Sequence, residues 1–299
     1  GCQAKIENDI VIDVPAESQV HKQVIRKAAS ERAIEMNPAT KLYFVEVAEP
    51  DMHEPSGDLE RLGEALKSQW GLGNVTADLR VIGKLQPTLR KGKWQVTAAI
   101  FQDHKEDTGQ IIELWPGLHE DGIFGLAIDL GSTTIAAHLT DLRSGEVVAS
   151  SGLMNPQIRF GEDLMSRVSY AMMNPGGDLE MTAAVREAMN TLITEIANEA
   201  GIASALIVEI VFVCNPVMHH LLLGIDPVEL GQAPFALATS EALSLAARDL
   251  ELSAVNGSAR SYILPCIAGH VGADAAAVAL SEEPGQSEDL VLVVDVGTN

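Results

Sequence analysis

Apolar and polar residues alternate from Lys41 to Val47, which predicts a strand. The period then changes to that of a helix, with Leu59, Leu62, Leu66 and Trp70 recurring behind Ser56, a residue type that caps helix starts. Trp94 to Phe101 and Ile111 to Trp115 predict two more strands, joined by the charged turn Asp103 to Gly109. Beyond residue 120 come strand candidates at 123–129, 133–140 and 146–152, the last two joined by Arg143-Ser144-Gly145. Helical spacing returns in Glu162 to Met173, through Leu164, Met165, Val168 and Met172. It continues in Leu179 to Ala200, through Met181, Val185, Ala188, Leu192 and Ile196, with Asp178 as the expected cap. Val208 to Val213, apolar but for Glu209, predicts a buried strand, followed by Asn215-Pro216 and a short helix over 217–223. Gly269 to Ala275 opens another helix, and 290–295 predicts a closing strand.

These elements predict a chain of α/β and α+β character. Residues 1–15 read as a hairpin, Ala4 to Glu7 and Ile10 to Val14 about the turn Asn8-Asp9, closing something whose body lies upstream. Residues 16–38 are polar, mixed in charge and partly helical, a linker ending at Asn37-Pro38. Residues 39–119 form a small α+β middle domain. From 120 to 299, antiparallel strands followed by alternating helices and strands predict a mixed sheet flanked by helices.

Composition narrows the function classes. An apolar fraction of 46% supports full cores and excludes a disordered chain. The formal charge of −22 repels nucleic acid and anionic membranes, so neither is an expected partner. No apolar run reaches the roughly 18–20 residues of a membrane span, and no signal peptide is expected. Cys2, Cys214 and Cys266 show no disulfide framework and fit a reducing cytoplasm. The start at Gly1 and the stop within a strand-loop motif predict an internal fragment.

Two loops carry the candidate chemistry. Asp129-Leu130-Gly131-Ser132-Thr133-Thr134 follows the apolar run 123–128, and Asp295-Val296-Gly297-Thr298-Asn299 follows 290–294. An aspartate ending a buried strand, then glycine and hydroxyl residues, suits a nucleotide phosphate bound to Mg²⁺. Glycine lets the backbone turn sharply beside an anion, successive N–H groups form an anion nest, and the carboxylate holds the metal, usually through water. Each loop alone also reads as a tight turn whose Asp caps its own backbone. Two of them can clamp one polyphosphate from both sides.

The order of these loops and elements resembles the acetate kinase, sugar kinase, heat-shock chaperone and actin (ASKHA) ATPase superfamily. More narrowly, the chain resembles its ferredoxin-linked members that reductively activate corrinoid proteins. The phrases Asn155-Pro156-Gln157-Ile158-Arg159-Phe160-Gly161-Glu162-Asp163, Met218-His219-His220-Leu221-Leu222-Leu223-Gly224 and Leu264 to Asp274 carry that likeness. Gln86 to Arg90 and Glu113 to Gly117 extend it into the middle unit. The resemblance implies ATP with Mg²⁺, Asp129 and Asp295 as the catalytic residues that position metal and water, and Gly131, Ser132, Thr133, Thr134, Gly297, Thr298 and Asn299 holding phosphate. It implies an actin-like, ribonuclease H-like ATPase fold, cut short here, with the adenosine pocket beyond residue 299. It also implies a [2Fe–2S] cluster in the full-length protein, with Cys2 as one iron ligand beside three upstream thiolates. Electrons would pass from a donor through that cluster to cobalt(II) of a corrinoid protein, restoring cobalt(I). The implied partners are therefore the corrinoid protein and an electron donor, with a homodimer also admitted. The fragment alone is expected to be inactive. A small-molecule kinase of the same superfamily, or a non-catalytic actin-like nucleotide switch, stays open as a rival. The kinase would need a substrate pocket and a catalytic Asp that the sequence does not offer.

Several other residues invite a role. Asp51, His53 and Glu54 read as a solvated loop rather than a metal site. Adjacent His219 and His220 face different directions on a helix and suit packing or surface better than chelation. His270, beside Gly269 and Gly272, reads either as an ordinary loop residue or as one that approaches the nucleotide cleft, the first being preferred. Arg159, Glu162 and Asp163 read either as a helix start or as a cleft or docking cluster. Asp274 reads as a helix cap, and Cys214 and Cys266 as buried structural thiols.

Overall fold

The computed structural model describes residues 36–53, 55–103, 108–282, 290 and 292. The expected hairpin over 1–15, most of the 16–38 linker and all of the closing strand and its loop but Leu290 and Leu292, including Cys2, Asp295, Gly297, Thr298 and Asn299, lie outside the described residues.

The first unit is a four-stranded sheet with two helices on one face. Its elements are β1 (Thr40–Glu46), α1 (Asp58–Trp70), β2 (Asn74–Ala77), α2 (Leu79–Lys91), β3 (Gln95–Gln102) and β4 (Thr108–Pro116), with strand order β1-β3-β4-β2. The helices turn Leu62, Leu66, Val81, Leu85 and Leu89 onto Val45, Val96, Ala98, Ile100 and Ile111. The start of α1 differs from expectation. Gly57, not Ser56, is the N-cap and offers no side-chain bond, while Asp58 and Glu60 supply the negative first turn. Sequence reading missed α2 altogether, because Pro87 stands inside it. Burial of Val81, Leu85 and Leu89, at about 1.5–3 kcal/mol each, outweighs the roughly 3 kcal/mol that an internal proline costs.

The second unit is a six-stranded mixed sheet, order β7-β6-β5-β8-β10-β9. Its strands are β5 (Phe124–Leu130), β6 (Thr134–Asp141), β7 (Val147–Met154), β8 (Ile207–Cys214), β9 (Leu243–Ala246) and β10 (Arg260–Ile263). The helices α3 (Leu164–Met173), α4 (Gly177–Ala200), α5 (Pro216–Leu223) and α6 (Ala273–Glu282) complete it. β5, β6 and β7 form the antiparallel meander expected from the sequence, and β8 adds parallel to β5. The mixed sheet flanked by helices is as the alternation predicted. β9 and β10 escaped prediction because four residues each is too short for a period to register. The 24-residue α4 lays Val185, Met189, Leu192, Ile193 and Ile196 across the sheet. Its N-cap is Gly176 in the left-handed region at φ 84°, not the expected Asp178, which sits in the first turn.

The two units share a seam. Ala99 and Ile112 from the first sheet bury against Ile123 and Val208 from the second. This explains why β3 is buried on successive residues rather than alternate ones: both faces are covered. Polar contacts lie beside it. Asp78 caps α2 by accepting from the N–H groups of Arg80 and Val81, both at 3.1 Å. Its second oxygen accepts from Arg248 Nη1 at 2.7 Å and from Ser258 Oγ at 2.9 Å, across the seam. Asn256 Nδ2 donates to Glu113 Oε2 at 2.9 Å, and Arg80 donates to the Gly257 carbonyl.

Candidate functional site

Three parallel strands, β5, β8 and β10, end at one edge of the second sheet. Asp129 stands opposite Val213 and Leu130 opposite Cys214, and Ile263 stands opposite Phe212. In open sheets of this kind ligands bind outside the carboxyl ends of the strands. All three chains turn at this edge: β5 into Gly131–Thr133, β8 into Asn215 and α5, and β10 through Cys266 towards α6.

The first predicted loop lies here. Asp129 is half-buried at the strand end. A side chain at Gly131 would place its Cβ 2.5 Å from the Thr134 carbonyl oxygen, so only glycine fits this turn. The carbonyls of the turn are tied inward. Asn155 Nδ2 donates to Gly131 O at 2.9 Å, Asn155 N to Thr133 O at 2.8 Å, and Arg167 Nη2 to Ser132 O. A trans peptide points its N–H opposite to its C=O. The N–H groups of Ser132 and Thr133 therefore point away from these donors. Asn155 also caps the 3-10 turn Pro156–Arg159 through Gln157 N at 2.9 Å. One buried side chain thus joins two segments of the conspicuous phrase 155–163 to the loop.

A cavity of about 440 Å³ opens where the N-termini of α3, α5 and α6 converge around Asp163, Asn215, Pro216, Gly269, His270 and Asp274. Asp163 caps α3 by accepting from Ser166 N at 2.7 Å, and Asn215 caps α5 by accepting from Met218 N at 2.9 Å. The helix-start reading of Asp163 therefore holds, although α3 begins at Leu164 rather than at Glu162. Gly272 lets the α6 approach close onto β8, since a Cβ there would lie 2.6 Å from Asn215 Cα and 2.8 Å from Cys214 O. His270 lines the cavity and packs on Phe235, with ring centroids 4.0 Å apart. Asp274 Oδ1 accepts from Ala275 N at 2.9 Å, at the start of α6.

Electrostatics tie these acids together. Burial pushes the Cys214 thiol well up, and the charges of Cys266, Asp274 and Asp129 add to it. Asp129 and Asp274 thus bear on one sulfur. Burial also raises Cys266. Neither thiol has the electropositive, partly exposed setting that makes a cysteine reactive. His219 and His220 are both buried in α5, which bears out the packing role. Burial, with the neighbouring His220 ring, pulls His219 down to about 4. His220 Nδ1 lies 2.9 Å from Pro216 O and its Nε2 accepts from Ala238 N at 3.1 Å, so its proton belongs on Nδ1. Asp51 and His53 are exposed, and no group of three or more ligating side chains occurs among the described residues.

Family models match both units. The RACo linker region model covers residues 29–121, and the RACo middle region model covers 124–284, more than half of the chain. The chain belongs to the RACo family. The four-stranded sheet lies within the linker-region match, and the six-stranded sheet with the candidate loop lies within the middle-region match. Among curated relatives, the corrinoid activation enzyme RamQ of Eubacterium limosum is 34% identical over 180 residues, covering 60% of this chain and 30% of RamQ. Among solved structures, a reductive activator for corrinoid, iron-sulfur protein superposes with a TM-score of 0.77 at 30% identity, over 87% of this chain and 41% of that one. This RACo chain therefore spans well under half the length of either relative.

Sequence reasoning quoted Asn155 and Gln157 within the phrase 155–163 but gave them no role, and it did not single out Arg167. Arg167 had a legible signal: it stands three residues after Leu164 and four before Ala171, on the helix stripe that faces inward.

Proposed function

We propose that this chain is the central part of an ATP-dependent reductive activator of corrinoid proteins, whose substrate is a corrinoid cobalt(II) centre returned to cobalt(I). The observation that supports it most is family membership across both units, combined with a glycine-only turn at the carboxyl edge of the parallel strands. In this reading Asp129 holds Mg²⁺ through water, and Gly131, Ser132, Thr133 and Thr134 receive phosphate. The donor set fits: a strand-end carboxylate, a cradle that a Cβ would fill, and amides turned outward. Bound Mg²⁺ would offset phosphate charge. Asp295, Gly297, Thr298 and Asn299 would close on the other side of the nucleotide.

The described residues do not fit an iron–sulfur cluster. Cys214 and Cys266 are buried, and the described residues hold no third ligand beside them. A [2Fe–2S] centre, with Cys2 among its ligands, belongs on this reading to the N-terminal side, and no electron path is drawn through the two sheets. Their role is conformational. A nucleotide can shift the molecule only by its differential affinity for two arrangements, and the seam at Asp78 and Glu113 transmits any rotation of the second sheet to the first. An electron donor to the cluster, a cytoplasmic location and a homodimer complete the reading.

The test uses the protein as encoded by its gene. ATP hydrolysis and the cobalt spectrum are followed with and without a cobalt(II) corrinoid protein. The proposal expects hydrolysis that responds to the corrinoid partner and a cobalt(I) signal that requires ATP. A protein with no cluster absorbance, or hydrolysis blind to the partner, would refute it and leave the kinase or the nucleotide switch.

A further inference from the structure

Arg167 is the bulkiest fully buried side chain among the described residues, at 0% exposure. Its Nε donates to Gly161 O at 3.0 Å, its Nη1 to Gln157 Oε1 at 3.3 Å, and its Nη2 to Ser132 O. Nη1 also lies 3.0 Å from Met218 Sδ. Two backbone carbonyls, an amide oxygen and a thioether take four of its five N–H hydrogens, and none of them carries charge. No carboxylate lies within ion-pair distance of it among the described residues. Asp163 acts on it from the surface, with an oxygen already committed to Ser166 N. Burial pulls the guanidinium down to about 10, so it stays charged at neutral pH. A buried charge without a counter-charge is costly and needs a reason.

The reason lies one peptide away. Arg167 grips the Ser132 carbonyl, and the opposite end of that peptide is the Thr133 N–H, which receives phosphate in the proposed reading. Hydrogen bonds in series polarise one another, so the grip makes that N–H a stronger donor towards an anion. It also fixes the peptide the right way round.

We propose that Arg167 is the positioning residue of the phosphate loop: it holds the Ser132 carbonyl inward so that the loop amides face a polyphosphate, and that anion supplies the charge that balances it. This rests on the reading of the Gly131–Thr134 loop given above. The bland competitor is a cross-link between α3 and the loop that serves stability alone.

Arg167→Met and Arg167→Lys separate the two in the protein as encoded by its gene, with Mg·ATP and inorganic tripolyphosphate as probes in a calorimetric titration, beside melting curves without ligand. Arg167→Met removes the charge but keeps the length. It is expected to weaken both anions by about tenfold or more, while the ligand-free protein melts close to wild type. Arg167→Lys is expected to bind near neutral pH and to lose affinity as pH rises through the lowered value of a buried lysine, a loss wild type does not show. If Arg167→Met does not fold, the pH profile of Arg167→Lys decides alone. Unchanged affinity in Arg167→Met with a lowered melting point, or a flat Arg167→Lys profile, overturns the inference and leaves the ATP reading standing. Wild type that binds neither probe overturns both.

Discussion

Asp78 joins the helix cap of α2 to the seam between the sheets, so its removal should be felt in both units. Asp78→Ala deletes a helix cap, worth about 1 kcal/mol, and the acceptor for Arg248 and Ser258. A neutral hydrogen bond contributes about 1 kcal/mol and a charged one somewhat more. The Arg248 side chain is 40% exposed and Asp78 15%, so screening discounts that pair to below about 1 kcal/mol. The expected loss is about 2–3 kcal/mol, measured by urea unfolding at neutral pH. A cycle of Asp78→Ala, Arg248→Ala and the double variant should return a coupling of about 0.5–1 kcal/mol. Asp78→Asn keeps one acceptor for the cap and should lose less than Asp78→Ala. The acid limb gives an independent check. Burial alone would raise the Asp78 carboxyl, but the hydrogen bonds from Val81 N–H, Ser258 and Arg248, with the charge of Arg248, outweigh it and lower the value. A carboxyl lowered on folding stabilises above its unfolded value, near 3.9, and that stability fades as pH falls through the folded value. Asp78→Asn should therefore flatten the acid limb of the stability curve. A loss under about 0.5 kcal/mol in Asp78→Ala, or no coupling to Arg248, would refute the view that this carboxylate pins the two units.

Gly131→Ala drives a methyl to 2.5 Å from the Thr134 carbonyl oxygen, so the turn must open; a titration with Mg·ATP should show affinity reduced by about tenfold or more, and a stability loss of about 1–3 kcal/mol. His219 is neutral when folded, held down to about 4 by burial and the His220 ring. Its contribution is full above the ordinary histidine value near 6.5 and is lost as pH falls from there towards 4, with a slope approaching about 1.4 kcal/mol per pH unit; unfolding titrations should show that slope in wild type and a shallower one in His219→Phe.

Much of the site could be read from the chain. An apolar strand ending in Asp129-Leu130-Gly131-Ser132 announces a tight turn at a sheet edge because a buried strand, a carboxylate and a glycine each have few other uses in that order. The meander β5 to β7 and the helices α3, α4 and α5 were legible for the same reason: their apolar periods are long enough to register. Starts were less so. Ser56 and Asp178 were plausible caps, but glycines occupy both cap positions, since a cap depends on the incoming chain direction as much as on residue type.

The sequence by itself determined the local chemistry: which stretches bury, where the backbone turns, and that Asp129 and the Gly131 turn end a buried strand. Tertiary structure alone decided what those pieces meet. It carried α2 through Pro87, because three buried side chains outweigh one missing hydrogen bond. It paired the four-residue strands β9 and β10, whose stability comes from neighbours rather than from any period of their own. It brought Arg167 to Ser132, 35 residues away, and Asp78 to Ser258, 180 residues away. Burial and long-range contact are properties of the packed molecule, and no window along the chain contains both partners.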